Sequence, residues 1–554
     1  MLNKLNRIRR DFNQWSLLTM VIGFLVAIPI LTITIYLFDG VGDMWDHIVN
    51  YFLLEYIQNS LILLVGTGLL TTLIGTSSAW IISNYNFQFR SLLKWLLFLP
   101  LAIPSYIVAY AYVGLLGNGG SLIGCFQAMG FSGQKLDLMN IYGLIWVLSF
   151  SLFPYVYASS MAMFSSLPRS IRESSDILGA SKWRYLISIA FPLASPAIIS
   201  GLFLVFMEVL NDYGAAKYFG INTFTTGIFR TWTMLEDLQS AVYLSALLIL
   251  MVIILNALVK WQRGKKSYVV KGNVNQLKSA DRNELRGSKK VLAWIIIGTP
   301  ILCGLLLPLG QLIIWASITY DKIFNFKLLK IAGESFTIAL ITTGFIILTS
   351  LALIYFSRWN HLKGLHFFKK IATIGYVIPG AIIGIGVIRS SQSFINFFDN
   401  VFSLEIGFLF YSSSIVLIYA YIFRFLAVVF HPLEANSLKV GKNISEAAYL
   451  LKAGKFKTLM SVELPLLRTA LLTSGILVFI DVLKELPLTL ILKPYNVQTL
   501  AVKAYEYADD ERVAEASLPA LMLIFTIIIS MAFISYLQKR GNLRQQNTAE
   551  NKQE

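Results

Sequence analysis

The chain has 554 residues, 56% of them hydrophobic and only 14% charged, with a mean hydropathy of +0.66. Soluble domains carry about a quarter charged residues, and no soluble core absorbs apolar blocks as long as these, so lipid is the expected solvent. The net charge of +16 does not point to nucleic acid. The basic residues fall in short segments between apolar blocks, as in cytoplasmic loops facing anionic lipid.

Arg7, Arg9 and Arg10 precede an apolar stretch that is too long for a signal-peptide core and has no small-residue cleavage site after it. It reads as a retained span. A spanning helix needs about 20 apolar residues. That ruler predicts an all-α integral membrane protein of about twelve spans: Trp15–Phe38, Ile57–Ile82, Trp95–Leu116, Ile141–Met163, Leu193–Leu210, Val242–Val259, Val291–Trp315, Phe336–Phe356, Ile371–Ile388, Ile406–Phe423, Leu466–Leu483 and Val513–Leu537. Pro100, Pro104 and Pro379 are expected to kink their helices. Cys125, Cys303 and the four histidines give no disulfide framework, metal spacing or His-rich relay.

The loop charges predict an orientation. Lys4, Arg7, Arg9, Arg10, Arg90, Lys94, Arg169, Arg172, Lys182, Arg184, Arg263, Lys265, Lys266, Lys289, Lys290, Arg358, Lys363, Lys369, Lys370, Lys539 and Arg540 all fall on one side of twelve spans. The opposite side opens with Asp39, Asp43, Asp46 and Glu55. The positive-inside rule makes both termini and the central linker cytoplasmic. The linker and the tail after Lys539 read as disordered.

The chain repeats itself. At an offset of 273 residues, Glu173 matches Glu446, Phe191-Pro192-Leu193 matches Leu464-Pro465-Leu466, and Phe206, Glu208 and Asp212 match Phe479, Asp481 and Glu485. Thr226, Arg230 and Glu236 match Thr499, Lys503 and Asp509 at the same offset, and Ile103-Pro104 matches Ile378-Pro379 at 275. An even number of spans per repeat gives two parallel halves, an architecture suited to a central pathway.

Two basic loops stand out, one per repeat. Each holds a short helical pattern, a small or Gly turn, a second amphipathic stretch and a Pro that opens the next span. The first carries Glu173, Gly179 and Pro192, with Ser174-Ser175 between; the second carries Glu446-Ala447-Ala448 and Pro465, with Lys452 at the Gly position and Gly454 displaced by two. This resembles the EAA loop of ABC importer permeases, and the resemblance implies the type I ABC importer permease fold. In that family the loop is a coupling helix seated on an ATPase subunit, which assigns Glu173, Gly179, Glu446, Ala447, Ala448 and Gly454 to coupling. The alternative is an amphipathic helix lying on lipid headgroups. No Gly-x-x-x-x-Gly-Lys-Ser/Thr phosphate loop occurs. The resemblance therefore implies a transporter subunit that is not itself an enzyme and binds no cofactor. ATP and Mg would be used by two copies of a separate ABC ATP-binding subunit.

The loops after the fifth and eleventh spans, from Glu208 to Trp232 and from Asp481 to Ala501, resemble those of fused permeases of ferric-iron importers. This resemblance implies a bacterial inner-membrane location, a periplasmic iron-binding protein as partner and ferric iron as cargo. Thiamine or sulfate are the alternatives within the class. Glu208, Asp212, Asp481 and Glu485 are then candidates for a carboxylate-lined pathway or gate, since hard Fe³⁺ prefers oxygen ligands. The bland reading is carboxylates, with Lys484, that fix helix ends. None is assigned as a metal ligand. Lys217, Arg230 and Lys503 are candidate contacts for acidic patches on a docking protein, or solvated loop charges. A gradient-driven secondary transporter is the rival class, but the mid-span segments are mostly bare of charge, Arg424 excepted.

The domain boundaries expected are 1–56 for the leading segment and span, 57–260 for the first permease domain, 261–290 for the linker, 291–333 for the seventh span and its loop, 334–537 for the second permease domain and 538–554 for the tail.

Overall fold

The computed structural model describes residues 14–117, 120–129, 137–167, 169–263, 283–285, 287–358, 365–403, 407–408, 413–440 and 442–550. Lys4, Arg7, Arg9, Arg10, Lys265, Lys266, Lys363 and most of the linker lie outside them. Twelve helices among the described residues are long and apolar enough to cross a membrane. They include Gln14–Tyr36, Leu53–Asn84, Ile141–Ser166, Leu238–Gln262, Ser288–Ile323, Phe326–Ser357, Gly380–Phe402, Ile415–Leu438 and Ser517–Leu537. Helices satisfy every backbone group internally, which hydrocarbon demands. The only strand pairing among the described residues is Tyr85-Asn86 against Asn283-Glu284.

Two compact units emerge. One comprises Gly42–Tyr320 with Tyr507–Leu518; the other comprises Met1–Val41, Asp321–Glu506 and Pro519–Glu554. Each unit is therefore completed by the leading span of the other repeat. The span Gln14–Tyr36 packs in the second unit, where the Tyr419 hydroxyl donates to the Leu25 carbonyl at 2.5 Å and the Arg389 guanidinium lies 4.7 Å from the centre of the Tyr36 ring. The seventh span packs in the first unit, where the Tyr112 hydroxyl donates to the Cys303 carbonyl at 2.7 Å. Close backbone approach makes this possible: a Cβ on Gly114 would strike the Trp315 ring, and one on Gly386 would strike the Pro29 carbonyl.

Four expectations are corrected. Pro104 and Pro379 do not kink helices. They stand just before the helices Ser105–Leu116 and Gly380–Phe402, after 3-10 turns at Leu99–Ala102 and Ile374–Val377. A proline forces the residue before it into extended backbone, and Ile103 (ψ 113) and Ile378 (ψ 127) adopt it. The third and ninth spans thus begin about nine residues later than the hydropathy ruler placed them. The ninth also runs on to Phe402, so Arg389 joins Arg424 as a charge within a span. Finally, the tail continues the last helix to Glu550 instead of losing structure.

Candidate functional site

The two basic loops share one geometry, built from different residues. In the first, the helix Arg169–Ile177 ends in a turn at Gly179, whose φ is +72. The Ala180 amide donates back to the Ser175 carbonyl at 3.0 Å. In the second, the helix Lys442–Leu450 ends at Lys452 with φ +60, and the Ala453 amide donates to the Ala448 carbonyl at 3.1 Å. Both are left-handed helix ends that satisfy otherwise orphaned carbonyls. The residue that takes the turn is therefore Lys452. Gly454 has φ −66 and instead stands before the short helix Lys455–Thr458, which corrects its assignment as a displaced turn glycine.

The match continues past the turn. Short helices Lys182–Tyr185 and Lys455–Thr458 lead into π-helical turns at Leu186–Ala190 and Leu459–Glu463. Pro192 and Pro465 have no N–H to give to the carbonyl four residues back, so the ladder must shift there. The Phe191 amide reaches back five residues to Leu186, and the Leu464 amide to Leu459.

Glu173, Glu446 and Ala447 are exposed, Ala448 is half-buried, and its counterpart Ser175 is buried. At the tips, Ile177, Leu178, Leu450 and Leu451 are each 84–85% exposed. They lie outside the spanning helices, among charged residues. Trp183 and its counterpart Phe456 extend each patch. Matched apolar tips of this kind mark a surface for contact with protein or with membrane. The sequence reading missed them because the two pairs are unremarkable until the turn geometry exposes them.

Of the four candidate gate carboxylates, Glu208 and Asp212 belong to one unit and Asp481 and Glu485 to the other. Among the described residues no group of three or more His, Cys, Asp or Glu could hold a metal ion. Asp212 and Glu485 instead play matching structural roles. Asp212 follows the helix Phe191–Asn211 and accepts from the amides of Ala215 and Ala216 at 3.0 and 3.1 Å, at the start of the short helix Gly214–Tyr218. Glu485 follows the helix Leu464–Lys484 and accepts from the amides of Leu488 and Thr489 at 3.1 and 3.0 Å, at the start of Pro487–Leu492. A carboxylate at this position satisfies free amides and complements the positive end of the helix.

Their second partners differ. Asp212 accepts from the Ser105 hydroxyl at the start of the third span. In the second repeat that place is Gly380. A Cβ there would collide with the Arg424 guanidinium, which lies 3.8 Å from Glu485. The two carboxylates are therefore stabilised differently. Burial pushes Asp212 up to about 6, against the pull of Ser105 and the two amides, and Glu208 adds to the rise. Burial also raises Glu485, with Arg424 opposing. Glu208 accepts from the Tyr155 hydroxyl at 3.2 Å, and Asp481 pairs with Lys484 at 3.1 Å.

Beyond these short helices the repeat changes register. Ser60 accepts the Phe224 amide at 3.3 Å, and Ser335 accepts the Leu500 amide at 2.8 Å. These amides open the ten-residue helices Phe224–Thr233 and Leu500–Asp509. Three extra residues in the second loop shift the offset to 276. The partner of Thr499 is thus Thr223, not Thr226, and the partner of Arg230 is Glu506, not Lys503. Lys503 instead pairs with Glu506 at 3.4 Å.

The comparisons agree with this architecture. The family model described as "Binding-protein-dependent transport system inner membrane component" matches residues 71–264 and again 366–542. The Fe(3+)-transport system permease protein FbpB 2 of Haemophilus influenzae is 23% identical over 92% of this chain and 95% of its own length. The sulfate transport system permease protein CysT of Escherichia coli is 27% identical over 33% of this chain and 64% of its own length. The molybdenum transport system permease protein ModB of Haemophilus influenzae is 30% identical over 26% of this chain and 62% of its own length. The chain is a multi-pass membrane protein that belongs to the family of binding-protein-dependent transport system inner membrane components and carries the family domain twice.

Proposed function

We propose that this chain supplies both halves of the membrane pathway of an ATP-driven importer for ferric iron, delivered by a periplasmic binding protein. Two copies of a separate ATP-hydrolysing subunit would seat on the two basic loops. The carrying observation is the matched pair of loops: same turn, same backbone bonds, same π-helical step and the same exposed apolar tips. A rigid helix joined directly to a spanning helix turns the closing of an attached motor into a rigid-body push. Glu173 and Glu446 give each seat a directional polar anchor. The orientation that follows from the basic residues puts both loops and both termini in the cytoplasm.

The cargo reading rests on the full-length likeness to the iron permease. The shorter likeness to the sulfate permease favours an oxyanion as the second reading. Asp212 and Glu485 are proposed to act in gating as latches, each holding a short helix against the start of the span after Pro104 or Pro379. Glu208 and Asp481 would line the pathway.

Proteoliposomes containing the chain, the ATPase subunit and candidate binding proteins test this. ATP-dependent uptake of ferric iron is expected, with no uptake of sulfate; sulfate uptake alone would reassign the cargo. The paired changes Ile177→Ser/Leu178→Ser and Leu450→Ser/Leu451→Ser should each weaken ATPase assembly about tenfold or more, as loss of anchor residues does. Wild-type assembly and uptake in both would remove the coupling assignment.

A further inference from the structure

The register shift exposes a charge inversion. At the seventh residue of the helix Leu500–Asp509 stands Glu506, a carboxylate enclosed by donors: Lys493 at 2.7 Å, Lys503 at 3.4 Å and the Gln498 amide at 3.3 Å. At the seventh residue of the helix Phe224–Thr233 stands Arg230. Its guanidinium rests 4.7 Å from the centre of the Phe52 ring, and among the described residues no carboxylate is paired with it. Beside it opens a cavity of about 130 Å³, lined by Arg230, Lys217, Asn222, Thr226 and Tyr213. The acidic groups here are engaged with other lining residues and not with Arg230: Asp509 holds Lys217 at 2.8 Å, and Glu55 accepts from Asn222 at 2.9 Å.

We propose that this cavity is a binding site for a small oxyanion, a carboxylate or phosphate, held by Arg230 with Lys217 in support. The second repeat shows what the fold does at the equivalent position: it places a carboxylate among cations. The first repeat puts Arg230 where that carboxylate stands and Gly227 where Lys503 stands, so a cation takes the place of the anion. A guanidinium backed by an aromatic face and open on one edge presents paired N–H groups suited to two oxygens of one anion. The volume exceeds what one water molecule needs and admits an ion of phosphate size. The site stands whether or not the cargo is iron.

Isothermal titration of the full chain in nanodiscs, with inorganic phosphate and with citrate at constant ionic strength, tests it. Binding is expected, weakened about tenfold or more in Arg230→Gln by loss of charge-assisted bonds. It should be unchanged in Lys503→Gln, whose cation belongs to the Glu506 cluster. Asp509→Asn frees Lys217 and should tighten binding, which guards against a reading of Arg230→Gln as misfolding. Equal binding by wild type and Arg230→Gln, or no tightening in Asp509→Asn, would overturn the site. So would an absence of heat with either anion, including the case in which Arg230→Gln weakens only docking of the binding protein; the contact would then be to a protein carboxylate.

Discussion

The two basic loops and the two polar segments after the fifth and eleventh spans descend from the same repeat, yet they have diverged unequally. The loops keep one backbone geometry at one offset although their residues differ, down to a lysine forced into the conformation of a glycine. The polar segments keep their capping carboxylates but exchange Ser105 for Gly380 with Arg424, insert three residues and reverse the sign of the charge at Arg230 and Glu506. Identical geometry is what the proposed seating of one ATPase subunit on each loop requires. Where, on the same proposal, a single cargo or binding protein would meet both halves, nothing requires them to match.

The largest expected effect bears on the exchanged partners. Arg424→Leu leaves Glu485 buried without its cation, and breaking a buried pair costs about 3–5 kcal/mol. Ser105→Ala removes one neutral donor from Asp212, worth about 1 kcal/mol. Thermal unfolding of both variants in detergent measures the difference, and equal losses would mean that the ion pair carries no special weight.

A smaller effect concerns pH. Burial pushes the Asp212 carboxyl up to about 6 in the folded chain, against about 3.9 when unfolded. The folded state therefore holds the proton more tightly. Its contribution to stability is complete below about pH 4 and is lost as pH rises through about 6. Asp212→Asn should flatten the fall in unfolding midpoint across that window. A slope identical to wild type would assign the titration to another group.

The smallest effect tests the symmetry of the loops. Lys452 in the left-handed region costs about 1–2 kcal/mol relative to glycine. Lys452→Gly should raise stability by about 1 kcal/mol, and Gly179→Lys should lower it similarly, with ATPase assembly kept in both. Loss of assembly in Lys452→Gly would make the lysine a contact residue as well as a turn residue.

The spans were legible because hydrocarbon requires long apolar runs, and the paired basic loops because Glu173, Gly179 and Pro192 recur as Glu446, Lys452 and Pro465. Pro104 and Pro379 were misplaced because apolar residues continue across the 3-10 turns before them, so hydropathy sees no break. The register of Arg230 was misread because a chance alignment of threonines, Thr226 with Thr499, hid the insertion. Only Ser60 and Ser335, over 160 residues away in the chain, reveal the true register.

The sequence by itself determined the solvent, the number of spans and the internal repeat, since each is written in local composition and spacing. The tertiary structure decided which unit each leading span completes, which donors hold Asp212 and Glu485, and where, among the described residues, a cation stands without a paired carboxylate. Those depend mostly on contacts between residues far apart in the chain, and close packing, not composition, selects them.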